Sequence, residues 1–240
     1  MKVIPIHISR EVGAGDDIAA LILEGARLLD GDILVVAQKI VSKAEGRMVL
    51  LDSVRPGLLA RGIAGEYGKD PRVVELVLRE ATHIVRMGGG VIVTRLPSGH
   101  ICANSGVDVS NVPAGCALPL PVDCDASAAR IRNVVWDVSG AQVGVIISDT
   151  VGRPFRNGQT DIALGCAGVS PLLDHTGKAD AHGRAMRVSV TAVADQLAGA
   201  AELAMGKAAG NPAAVVRGTG AAAGNGSGMK LIRTGRELFV

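Results

Sequence analysis

Gln142-Val143-Gly144-Val145-Ile146-Ile147-Ser148 is a short, β-branched apolar run, the pattern of a strand buried on both faces. It leads straight into Asp149-Thr150-Val151-Gly152-Arg153-Pro154-Phe155-Arg156. A carboxylate and a hydroxyl therefore stand at the end of a rigid element, a hard-oxygen pair suited to Mg²⁺ or Mn²⁺. Arg153 and Arg156, three apart, can neutralise a nearby phosphate or carboxylate. On residue types alone, Asp149 capping a turn between solvated arginines is an equal reading.

Working outward, Gly31-Asp32 turns the chain into a second buried strand, Ile33-Leu34-Val35-Val36-Ala37. Before it, the spacing predicts a helix starting after Gly15, capped by Asp16, with Asp17 at its positive end. Its apolar positions are Ile18, Leu21, Ile22 and Leu28. Asp70-Pro71 opens another helix, an acidic cap followed by proline at the first helical position. Residues 84–103 read as a strand meander broken at Gly88-Gly89-Gly90 and Pro97-Ser98-Gly99. Asp125 to Val135 reads as a helix, Ser189 to Lys207 as a long Ala-rich helix, and Ala213 to Val216 as a strand. The stretch from Gly218 to Gly228 reads as a connector or functional loop. Strands and helices interleave without a regular βαβ rhythm, which points to an α+β mixed architecture rather than a doubly wound one. No repeat or low-complexity linker marks a cut, so residues 1–240 are taken as one unit, with two closely packed subdomains left open.

Composition narrows the function classes. Lys plus Arg number 25 against 23 Asp plus Glu, a net charge of +2, so no global field draws the chain to nucleic acid or an acidic membrane. The aromatic residues are Trp136, Tyr67, Phe155 and Phe239, too few to stack single-stranded bases. The cysteines, Cys102, Cys116, Cys124 and Cys166, form no C-x-x-C pair, and the histidines form no zinc-type cluster. No secretory signal opens the chain and no apolar run reaches membrane length, so a cytoplasmic protein is expected.

Two further segments carry candidate chemistry. Asn104-Ser105-Gly106-Val107-Asp108-Val109-Ser110-Asn111 packs small polar residues around one carboxylate, and Asp108 can supply a second metal oxygen. In Gln38-Lys39-Ile40-Val41-Ser42-Lys43, just past a strand, Lys43 is a candidate point charge for phosphate. Taken singly, a turn for the first segment and a solvated lysine for the second are the ordinary explanations. The common nucleotide signatures are absent: Gly206-Lys207 is followed by Ala208, and no G-x-G-x-x-G follows a strand. A P-loop or Rossmann site is not expected.

Taken together, six blocks resemble the coenzyme F420-0:γ-glutamyl ligase family, F420 being a deazaflavin coenzyme. They are GDILVVAQKIVSKAEGR (31–47), ANSGVDVSN (103–111), DASAARIR (125–132), GVIISDTVGRPFR (144–156), HGRAMRVSVTAVADQLAGAAELAMGK (182–207) and PAAVVRG (212–218). The resemblance implies a mixed α/β fold and a homodimer. It also implies GTP-driven addition of L-glutamate to coenzyme F420-0 through an acyl phosphate, with Mg²⁺ or Mn²⁺ and room for a monovalent cation. Its metal ligands fall on Asp108, Asp149 and Thr150, and its catalytic residues on Asp108, Asp149 and Lys43. Its nucleotide contacts fall on Ser9, Arg10, Glu11, Val12, Gln38, Lys43, Asn111, Met205, Gly206, Lys207, Ala208, Ala209 and Gly210. Arg153 and Arg156 are left for a substrate anion. The pattern departs at Lys207, where some members carry an acidic or amide metal ligand. No counterpart of the flavin-binding second domain of some bacterial relatives is expected. The alternatives are a ligase of the same scaffold acting on another carboxylate cofactor precursor, or a non-catalytic nucleotide- or deazaflavin-binding protein.

Overall fold

The structure is a computed structural model that describes residues 1–221, 223–224 and 226–232. Part of the Gly218 to Gly228 connector, and Phe239, lie outside the described residues. The chain opens with β1 (Lys2–Ile6), α1 (Ile18–Gly25), β2 (Ile33–Ala37), α2 (Gln38–Ala44) and β3 (Val49–Leu50). Helices α3 (Leu58–Tyr67) and α4 (Pro71–Glu80) follow, then β4 (His83–Gly88), β5 (Val91–Arg95), β6 (Ile101–Ala103) and β7 (Cys116–Ala117). Next come α5 (Cys124–Ser139), β8 (Gly144–Arg153) and β9 (Arg156–Ala167). The remaining elements are β10 (Leu172–Asp174), β11 (Val190–Ala192), α6 (Val193–Met205) and β12 (Ala213–Arg217).

The central sheet runs β1-β12-β2-β8-β9, with β2 and β8 parallel and every other pairing antiparallel. The two apolar runs read from the sequence are its middle. Their lack of alternation has a direct cause, because both faces are covered. Leu34, Val36, Val145 and Ile147 pack with Ile18, Ile22, Ile131 and Val135 of α1 and α5. Ile33, Val35 and Ile146 pack with Ala194, Leu197, Ala201 and Met205 of α6. A separate apolar cluster joins Ala60, Ile63, Val74 and Val77 of α3 and α4 to Ile92 on β5 and to Val107. The mixed sheet with helices on both faces is the α+β arrangement expected.

Local chemistry explains several helix ends. Asp70 caps α4 by accepting from the Arg72 amide, with Pro71 in the first turn. Helix α5 starts earlier than Asp125, capped by Asp123, and ends at the left-handed Gly140. At α1 the cap is Asp17, which accepts from the Ala19 and Ala20 amides. Asp16 instead accepts from both terminal nitrogens of the Arg10 guanidinium and from the Gly13 amide. Leu28 lies beyond that helix, which stops at Gly25, yet it is buried in the same core. The predicted helix from Ser189 begins as β11, because Val190 to Ala192 pair with Leu172 to Asp174 before α6 starts. Among the described residues no helix is long and apolar enough to cross a membrane.

Candidate active site

The site forms where the central sheet changes width. Strand β2 ends at Ala37, whose partner on β8 is Ser148. Strand β8 runs on to Arg153, paired only with β9 over this distance. Asp149 and Thr150 are therefore inside a strand, not in a loop after one, and their β2-side edge opens into a cleft. Because side chains alternate along a strand, the two residues serve opposite faces of the sheet. The cleft, about 430 Å³, is closed by the segment around Arg10 to Val12, the start of α2, Asn111, and the loop from Met205 to Gly210.

Asp149 lies on the face of α2 and α5. Its cross-strand partner is Ile162, which packs with Leu96, Leu120, Leu164, Cys102 and Cys124. Burial against that apolar cluster pushes the Asp149 carboxyl up to about 6, and the charge of Asp161 adds to the rise. Hydrogen bonds from the Thr150 amide and the Gln38 side chain, and the Lys39 charge, oppose it. Gln38 is fully buried, and its carbonyl accepts from Ser42 Oγ at 3.1 Å, which orients its amide. The same burial holds the Cys102 and Cys124 thiols up at about 12, so they stay protonated.

Thr150 faces Asp161, and a β-bulge is the reason. Ile147 pairs with Gly165, but Ser148 pairs with Ala163, so Leu164 is an extra residue on β9. Were the pairing regular through Leu164, Thr150 would oppose Ile162. With the bulge, Thr150 Oγ1 donates to Asp161 Oδ1 at 2.6 Å and Ser148 Oγ donates to Asp161 Oδ2 at 3.0 Å. Asp161 is almost fully buried. Lys207, from the loop after α6, donates to Thr150 Oγ1 and lies 3.6 Å from Asp161.

The other cleft lysines are also held by acids from distant segments. Lys43, in the last turn of α2, pairs with Glu11 at 3.0 Å. Lys39 Nζ lies 2.6 Å from Asp108 Oδ2. Burial favours the neutral Asp108 carboxyl, but Lys39 and the Ser110 amide outweigh it and hold it below the usual carboxylate range. These pairs create a cleft that is rich in cations yet internally compensated.

Of the residues singled out from sequence, Arg10, Glu11, Val12, Gln38, Lys43, Asn111, Asp149, Thr150, Met205, Gly206, Lys207, Ala208 and Gly210 line this cleft. Ser9 and Ala209 neighbour it but are not part of its lining, and Asp108 reaches it only through Lys39. Arg153 is committed to its own hairpin, donating to the carbonyls of Asn157 and Gly158, and Arg156 is exposed at the same tip. Sequence reasoning passed over Lys39, Asp161 and Glu202, all of which line the cleft. Among the described residues no three His, Cys, Asp or Glu side chains converge as a complete metal cage. A phosphate-bridged Mg²⁺ needs only one or two carboxylates, because the nucleotide supplies further oxygens. Asp149, on a rigid strand, fits that smaller demand, whereas the Thr150 side chain faces the other side of the sheet and is engaged by Asp161 and Lys207.

The family model described as F420-0:Gamma-glutamyl ligase matches residues 8–218, which includes every cleft segment. The chain belongs to the F420-0:γ-glutamyl ligase family. It is 47% identical over 219 residues to the coenzyme F420:L-glutamate ligase of Methanopyrus kandleri, covering 91% of this chain and 87% of that one. The corresponding protein of Methanothermobacter thermautotrophicus is 49% identical over 213 residues, 86% and 84% of the two chains. That of Methanococcus maripaludis is 39% identical over 238 residues, 99% and 96% of the two chains.

Proposed function

We propose that this protein is a coenzyme F420-0:L-glutamate ligase that uses GTP and acts as a homodimer. The carrying observation is the convergence of six separated segments on one cleft at the open edge of β8. They bring Arg10, Lys39, Lys43 and Lys207 around Asp149 and Thr150, in a chain of that family.

In this reading the precursor's lactyl carboxylate attacks the γ-phosphorus of GTP, and the bond to the bridging oxygen breaks to release GDP. The glutamate amine then attacks the acyl carbon, inorganic phosphate leaves, and the amine proton is passed to solvent or phosphate. The first step brings two anions together, so charge neutralisation and alignment dominate it. Lys43, anchored by Glu11, offsets charge along the phosphate chain, and Arg10 borders the same wall. Gln38 holds the Asp149 carboxylate in place. Asp149 with Asp108 would hold Mg²⁺ or Mn²⁺, which would neutralise charge developing on the phosphates. For Asp108 to take part, Lys39 must release it, and a phosphate is a natural alternative partner for that ammonium.

The test is to incubate the protein with F420-0, L-glutamate, GTP and Mn²⁺ and to examine the deazaflavin by mass spectrometry. A product heavier by one glutamyl residue, formed with GDP, is the expected result. GTP cleavage only with a different carboxylate acceptor would move the assignment to another cofactor precursor. GTP binding without any cleavage would leave a binding protein.

A further inference from the structure

One cation in the cleft belongs to the protein itself. Lys207 Nζ donates to Thr150 Oγ1, and stands 3.6 Å from Asp161 Oδ1 and 3.9 Å from Glu202 Oε1. These three oxygens come from β8, β9 and α6, so the cluster is a product of the tertiary fold and not of local sequence. A hydroxyl has one proton and two lone pairs. Thr150 spends its proton on Asp161 at 2.6 Å, so only lone pairs are turned toward Lys207. Asp161 is fixed in turn by Ser148 on its other oxygen and by the β9 bulge.

A hydroxyl stripped of donor capacity and flanked by two carboxylates is an oxygen set that a hard divalent ion would take. Here an ammonium is already seated on it. A dication arriving there would meet the lysine charge at contact distance, and would have to displace it. We infer that Lys207 stands in place of a divalent ion on the Thr150 side of the cleft, so that any divalent ion is held on the Asp149 side alone. The second clause rests on the metal-dependent reading of the cleft; the first rests only on the contacts of Lys207. An ammonium supplies half the charge of Mg²⁺, cannot dissociate, and keeps donors free for an incoming phosphate oxygen. Asp161 is then a positioning residue, acting through the Thr150 hydroxyl.

The decisive measurement is Mn²⁺ binding, followed by the electron paramagnetic resonance signal of free Mn²⁺ in the presence of a non-hydrolysable GTP analogue. Wild type, Lys207→Gln and Lys207→Glu are compared, with folding checked by thermal melts; the Lys207 side chain is 59% exposed, so both should fold. Each variant should bind about one more Mn²⁺ per chain than wild type, and Lys207→Glu should hold it at least about tenfold more tightly. Adding Asp161→Asn to Lys207→Gln should remove the gained ion; if that protein does not fold, Glu202→Gln takes its place. Equal stoichiometry in wild type and both variants overturns the inference, as does a gained ion that is indifferent to Asp161 and Glu202. Ion counting is independent of glutamyl transfer. A protein without ligase activity that still gains the ion would retain this inference and lose the functional one.

Discussion

Lys39 Nζ lies 2.6 Å from Asp108 Oδ2 and 2.8 Å from Ser110 Oγ, so a helix-borne lysine closes the loop that carries this carboxylate. The pair is about a quarter exposed on both sides, and its worth to stability is at most ~1 kcal/mol. If Asp108 serves the reaction, its removal must cost turnover far more than fold. Asp108→Asn is expected to lower glutamyl transfer ~100-fold, the scale of losing one preorganised electrostatic group. Its melting temperature should stay within a few degrees of wild type. Steady-state rates and a thermal melt on the same preparation check both halves, and near-normal turnover would remove Asp108 from the mechanism.

Asp149 gives a pH signature in the metal-free protein. Its folded carboxyl titrates at about 6, above the ordinary 3.8, because burial disfavours the anion. Between these values the folded state keeps a proton that the unfolded chain has lost, so stability falls as pH rises from about 4 to about 6. Above that window the protein carries the full cost, at most about 3 kcal/mol from the size of the shift. Asp149→Asn cannot ionise, so it should be more stable than wild type at about pH 7.5 and indistinguishable below about pH 4. Urea melts across that range measure the difference; a constant offset at every pH would refute the assignment.

The strands at the centre of the sheet were legible because burial on both faces writes itself as an uninterrupted apolar run, as in Ile33 to Ala37 and Val145 to Ile147. Asp70-Pro71 was legible because capping is a local chemistry. Asp161 was not. Its position opposite Thr150 depends on one extra residue, Leu164, in a strand whose sequence over 156–167 alternates too weakly to announce itself. The place of Lys39 was hidden for a similar reason: its partner Asp108 lies on a different loop, and only the fold brings them together. The hairpin contacts of Arg153 were hidden too, because the sequence does not reveal that a tight hairpin would offer its guanidinium the carbonyls of Asn157 and Gly158.

Arg217 and Asp32 pin the strand end farthest from the cleft. Nε and one terminal nitrogen of Arg217 bind the two Asp32 oxygens at 2.8 and 2.7 Å, and Asp32 is only 1% exposed. Arg217→Met leaves a buried carboxylate with the Leu29 amide as its remaining side-chain partner. The expected loss is about 3–5 kcal/mol, the usual cost of orphaning a buried charge. Arg217→Lys keeps the charge but not the planar fork, and should fall between the two. Equilibrium urea unfolding of the three proteins tests that order; equal stabilities would show that the pair contributes nothing.

Gly165 sets how closely α5 can approach the sheet, and through it the wall behind Asp149. A Cβ at this position would lie 2.3 Å from the Cys124 carbonyl carbon and 2.6 Å from the Asp125 amide nitrogen. Both obstacles are backbone, so no side chain can swing aside to make room. The same contact lets Asp125 accept from the Cys166 and Gly228 amides, each at 2.7 Å. Gly165→Ala must therefore lift the first turn of α5 and stretch those bonds, at a cost of about 2 kcal/mol or more. In a chain of this length that is a melting temperature lower by roughly 4–8 °C. Gly152→Ala is the control, since an added Cβ there meets nothing within 4 Å. A Gly165→Ala protein as stable as that control would mean that α5 does not rest on β9 at this point.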